Sequence, residues 1–121
     1  MKIRYLAFLA GMLFLVSCSI ASKSMSIDTF IEQKLELENK KVFLTGFLLK
    51  KKEGDYICTT EASEGQCVNL EYESTLKQLV SDFSGMKVLL YGTYIPHEFK
   101  DDGLTLIPSR VRIIRLEKSD Q

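Results

Sequence analysis

Two stretches of the chain, Lys41-Val42-Phe43-Leu44-Thr45-Gly46 and Lys87-Val88-Leu89-Leu90-Tyr91-Gly92, repeat one order of residue types: lysine, valine, two large apolar residues, a hydroxyl residue, glycine. Apolar and β-branched residues at this density favour extended backbone. The first run continues to Leu49 and the second to Ile95, where Pro96 stops it. A glycine inside a strand weakens it, and usually marks a bend, a bulge or the close approach of another backbone. Two long strands, each bent at its glycine, are therefore expected.

The other elements fall around these strands. Ile27, Phe30, Ile31 and Leu35 recur at helical spacing, with Ser26 placed to cap and Asp28 favourable in the first turn, so a first helix should run to about Asn39. Glu53-Gly54-Asp55 reads as a turn. Tyr56–Thr59 and Cys67–Leu70 read as short strands joined by the polar loop Thr60–Gln66, a hairpin. A second helix, capped by Ser74, carries Leu76, Leu79, Val80 and Phe83 on one face and stops at Gly85. A last strand lies within Leu104–Leu116, interrupted or edged by Pro108.

The chain is thus mostly β with two helices. A long bent strand, a hairpin, a helix after the third strand and then two more strands make an order that resembles the OB-fold, a five-stranded Greek-key barrel with a helix between strands 3 and 4. The resemblance spans about Asn39 to Leu116 and is closest to the small OB-fold domains of bacterial envelope lipoproteins. The competing fold is an α+β antiparallel sheet with both helices on one face.

The N-terminus has its own chemistry. Lys2 and Arg4 precede an apolar stretch, Tyr5 to Val16, broken only by Gly11. Spanning a membrane takes about 20 apolar residues, whereas a signal-peptide core needs about 7–15. Leu15-Val16-Ser17-Cys18 resembles the lipobox of bacterial lipoproteins. That resemblance implies cleavage before Cys18 and attachment of acyl chains such as palmitate to it. Residues 1–17 are then the signal peptide, 18–24 a lipidated polar tether, and 25–121 the globular domain. Ser19, rather than aspartate, follows the cysteine, which implies an outer-membrane anchor facing the periplasm in a Gram-negative cell.

Charge narrows the partners. The 121 residues hold 16 basic and 16 acidic side chains, and losing Lys2 and Arg4 leaves 14 − 16 = −2 on the mature chain. Proteins that bind by neutralising phosphates carry a basic excess, so nucleic acid is a disfavoured partner. The nearest thing to a binding surface is Lys50, Lys51, Lys52 and Tyr56 together with Phe99, Arg110 and Arg112, against the plainer reading of a charged turn and a solvated strand face.

Cys58 and Cys67 lie on neighbouring expected strands in an exported chain and read as a disulfide, with free thiols or a metal site as the alternatives. The one histidine, His97, sits in an acidic stretch with Glu98, Asp101 and Asp102 and reads as a solvated turn residue. No catalytic set, metal site or cofactor is expected. The function expected is a non-catalytic binding or assembly module with an envelope protein or glycan as partner. A structural accessory subunit, or less favoured a nucleic-acid-binding or hydrolytic OB-fold protein, is the alternative.

Overall fold

The computed structural model describes residues 23–62 and 65–120. The expected signal peptide, Cys18 and the part of the expected tether before Lys23 lie outside the described residues. In chain order the elements are β1 (Met25–Ser26), α1 (Ile27–Gln33), β2 (Lys41–Lys51), β3 (Gly54–Cys58), β4 (Cys67–Glu71), α2 (Lys77–Asp82), β5 (Lys87–Ile95), β6 (Glu98–Phe99), β7 (Leu106–Ile107) and β8 (Arg110–Lys118).

Strand β2 serves two neighbours. Its first part, Lys41–Phe47, pairs antiparallel with β5, and from Phe47 onward it pairs antiparallel with β3. Strand β3 continues to β4, β4 runs parallel to β8, and β8 returns antiparallel to β5. The pairings therefore close a ring, β2-β3-β4-β8-β5, and β1 adds a sixth, parallel strand on Leu44 and Thr45 of β2. The sheet is mixed rather than purely antiparallel because of the β4–β8 pair.

The two repeated glycines stand where the ring needs them. A Cβ on Gly46 would lie 2.7 Å from the Cys58 carbonyl oxygen and 2.9 Å from Cγ1 of Ile27, so β2 can pass from β5 to β3 only with no side chain there. A Cβ on Gly92 would collide with the Arg112 carbonyl oxygen. Beside Gly92 the β5–β8 register slips, with Gly92 opposite Ile113 and Tyr91 opposite Arg115. Ile114 is the extra residue of this bulge. It turns outward, and Leu116 rather than Arg115 takes the next inward place after Ile113.

Period-two alternation fills the interior. Val42, Leu44 and Leu48 of β2, Val88, Leu90 and Tyr94 of β5, and Val111, Ile113 and Leu116 of β8 are buried together. Helix α1 lays Ile27 and Phe30 into this core, and the Phe30 ring meets Tyr94 edge-on at 4.9 Å. Helix α2 buries Val80 and packs Leu79 against the core, and Leu76 just before it and Phe83 just after it pack there too.

Three expected features differ in detail. Ser26 does cap α1, its Oγ accepting from the Thr29 N–H, but the helix tightens into a 3-10 turn at Lys34–Leu37. A 3-10 turn advances by about 120° per residue instead of about 100°. Leu35 is carried outward to 78% exposure, and Leu37 packs on the core in its place. Ser74 does not cap the second helix. It opens a 3-10 turn, Ser74–Leu76, and α2 begins at Lys77. The last expected strand is split at Pro108 and Ser109 into β7 and β8. Strand β7 folds back on β6 as a separate two-stranded hairpin.

Candidate functional site

Cys58 and Cys67 are direct partners across β3 and β4, with Cα atoms 4.1 Å apart, and their sulfurs are bonded. The disulfide reading is the one the structure carries. The bond leaves neither thiolate free for a metal. Lys51 reaches over this bridge, its Nζ 3.7 Å from the Cys67 sulfur and 4.8 Å from the centre of the Tyr56 ring.

The basic and aromatic candidates are distributed over separate surfaces. Lys50 lines an open cleft of about 480 Å³ with Asp55, Tyr72, Ser74 and Lys77. In it the Tyr72 hydroxyl donates to Asp55 Oδ2 at 2.5 Å, and this bond to a carboxylate pushes the phenol up to about 12. Lys52 sits exposed in the two-residue turn between β2 and β3. His97 is exposed.

Arg110 and Arg112 are engaged within the fold. Arg110 is only 8% exposed, and its Nη2 lies 2.9 Å from Glu98 Oε1 while its Nε lies 3.4 Å from Glu71 Oε1. Arg112 Nε donates to the other oxygen of Glu71 at 2.6 Å. Burial raises the pKa of Glu71, but the hydrogen bond and charge of Arg112, then those of Arg110, outweigh it and hold the carboxyl below its usual range. Arginines already matched to carboxylates are poor donors to a phosphate backbone.

Phe99 belongs to a different feature, the β6–β7 hairpin, where it pairs with Leu106. The turn between the two strands is tightly held. Asp102 Oδ1 accepts from the N–H groups of Leu104 (2.8 Å) and Thr105 (2.9 Å), and Oδ2 accepts from the Thr105 hydroxyl at 2.7 Å. The Thr105 N–H and hydroxyl, then the Leu104 N–H, keep the Asp102 carboxyl below its ordinary value. The Lys100 N–H bonds the Thr105 carbonyl at 2.9 Å. At the base, Glu98 is pinned by Arg110.

This braced turn displays apolar side chains to solvent: Phe99 at 62% exposure, Leu104 at 87% and Leu106 at 51%. Single exposed apolar residues are ordinary, but three gathered on one short hairpin make a patch. The local signal for the hairpin was present as Asp101-Asp102-Gly103, a turn-forming triplet between apolar residues. It is masked in the sequence by the neighbouring charges, which read equally as a solvated loop.

A further cleft of about 500 Å³ opens on the outer side of β2 and β5, lined by Phe43 and Leu89 and, among charged residues, by Lys23, Lys87 and Asp120. Among the described residues no group of three or more His, Cys, Asp or Glu side chains is placed to hold a metal ion. Among them, too, no helix is long and apolar enough to cross a membrane. Comparison of the chain with protein families, with characterised proteins and with solved structures finds no significant match.

Proposed function

We propose that this chain is the precursor of a lipid-anchored envelope lipoprotein whose mature domain is an OB-like barrel acting as a non-catalytic assembly module. The observation that carries the assembly reading is the braced β6–β7 hairpin, which presents Phe99, Leu104 and Leu106 to solvent on a domain with a complete core of its own. Apolar side chains held out by dedicated hydrogen bonds suit contact with a partner better than they suit a solvated loop.

The barrel reading is supported by the ring order. Numbered within the ring, the strands run first, second, third, fifth, fourth and back to first, with the third and fifth parallel. The envelope address is supported by the short apolar core after Lys2 and Arg4 and by Leu15-Val16-Ser17-Cys18, with acylation of Cys18 and an anchor facing the periplasm where an outer membrane exists. The disulfide agrees with an oxidising compartment. An envelope protein is the favoured partner over a glycan or nucleic acid, because the exposed patch is apolar and the arginines are paired internally.

Two measurements test this. Labelled fatty acid should enter the wild-type protein and fail to enter Cys18→Ala, and equal labelling of both would overturn the anchor. A photo-crosslinking side chain at Leu104 should give protein adducts in the native cell, while the same group at the exposed Glu61 should not. Equal adducts from both positions would remove the hairpin as the contact.

A further inference from the structure

The hairpin needs an apolar recess to enter, and the chain itself offers one. Half-buried Phe43 and Leu89 give the β2–β5 cleft its apolar lining, and Lys23 and Lys87 line it too. Neither lysine has a carboxylate within ion-pair distance among the described residues. Just beyond, the Arg115 guanidinium stands 5.9 Å from the Tyr91 ring and is paired with Glu117, its Nε 3.5 Å from Oε1. Asp120 is the cleft's one acidic lining residue among those described.

The hairpin has the opposite charge. Glu98, Asp101 and Asp102 stand against Lys100 in its sequence, and with Glu98 spent on Arg110, Asp101 remains the carboxylate free to act outward. A cleft of about 500 Å³ has the size of sites that enclose several side-chain groups. Prong and cleft are far apart on one copy: the cleft lies at Lys87 and Leu89, and the hairpin follows Ile95 at the other end of the strand. Four to eight steps of extended chain, about 13–26 Å, lie between the cleft residues, of which Phe43 stands opposite Tyr91, and the end of β5.

We propose that the β6–β7 hairpin of one copy seats in the β2–β5 cleft of a second copy, with Phe99 and Leu104 against Phe43 and Leu89, and Asp101 facing Lys87. The inference rests on the assembly reading above and names its partner. The contact joins two different surfaces of the chain, so it can be made twice about a two-fold axis, each hairpin in the other copy's cleft, or repeat head to tail as a ring or a row. A contact this small is weak in dilute solution and gains from confinement of the copies to one surface.

The test uses the full chain purified from its membranes in detergent, with the wild-type lane as background for native cysteines. Leu104→Cys and Leu89→Cys are prepared singly and together and oxidised. Mixing the two single variants should give a linked dimer that neither gives alone, and the double variant should link with itself, to a dimer where the contact is reciprocal and to a ladder where it repeats. Asp101→Lys on the prong copy should lower the yield about tenfold, and Lys87→Glu on the cleft copy should restore it. The charge pair reads the contact without touching the apolar core. Linkage of Leu104→Cys to itself, or no linkage at all, would overturn the inference. No linkage here together with adducts from Leu104 to a different protein in the native-cell photo-crosslinking would overturn it while leaving the assembly reading standing.

Discussion

Glu98, the first residue of β6, and Arg110, the first of β8, lie 2.9 Å apart, and this ion pair clamps the base of the hairpin to the strand ring. The two ends of the pair are unequal. The Arg110 side chain is 10% exposed and that of Glu98 is 53% exposed. Glu98→Gln leaves Arg110 with Glu71 and should cost less than about 1 kcal/mol, as exposed ion pairs do. Arg110→Ala removes a buried stem and two carboxylate contacts and should cost about 1–3 kcal/mol by urea unfolding. It should also speed amide exchange at Phe99 and Leu106. Equal loss in both variants would mean that the pair, rather than the buried arginine, sets the stability.

Gly46→Ala and Gly92→Ala should each destabilise the domain by more than about 1 kcal/mol, because the added carbon meets a carbonyl oxygen of the neighbouring strand in both cases. The strands cannot part without breaking the β2–β3 hand-over or the β5–β8 pairing. Unchanged urea midpoints would mean that the ring opens easily at these points.

These glycines are also what made the fold legible. A strand pattern interrupted twice at the same place reports close backbone approach directly, so the two bent strands, the Cys58–Cys67 hairpin and the amphipathic face of α2 could all be read from residue type and spacing. Leu35 was misplaced because periodicity alone does not reveal the change from 3.6 to three residues per turn. The bulge at Ile114 was hidden because an extra residue shows only against a partner strand. The candidate surface was least legible of all. Arg110 and Arg112 look free in sequence, while Glu71, their acceptor, is about forty positions away. Charge pairing at that separation is created by topology, in this case by the parallel β4–β8 contact.

Acid should cost the fold stability through Glu71 and Asp102. Both carboxyls are held below their ordinary values, 4.5 for Glu71 and 3.8 for Asp102, in the folded protein. A depressed folded pKa contributes stability that is present above the unfolded value and lost as pH falls through the folded one. Melting temperature should therefore hold from pH 7 to about 5 and fall below about 4.5. Glu71→Gln should flatten part of that fall. The Glu71 share is modest, since the group is partly solvated. In the hairpin turn, the protection of the Leu104 and Thr105 amides should fall at lower pH still, below the ordinary 3.8 of an aspartate, as Asp102 protonates and its oxygens lose their charge. An acid limb identical in wild type and Glu71→Gln would show that other carboxyls govern it.

The Cys58–Cys67 bond joins strands that already face each other across the ladder, its cysteines nine positions apart in sequence. Its effect should lie mainly in the unfolded chain. Closing a loop of about ten residues restricts that chain by about 2.7 kcal/mol, a large part of what a domain of this size possesses. Cys58 is fully buried beside the Gly46 approach, so its replacement must stay small and apolar to leave the core intact. Cys58→Ala with Cys67→Ala should accordingly fold to the same ring but melt lower by about 10–20 °C. In wild-type protein, unfolded without reductant, neither cysteine should react with an alkylating agent, and both should react after reduction. Alkylation before reduction would show that the chain keeps free thiols on β3 and β4. A double variant melting with the wild type would show that the strand pairing alone already orders the unfolded loop.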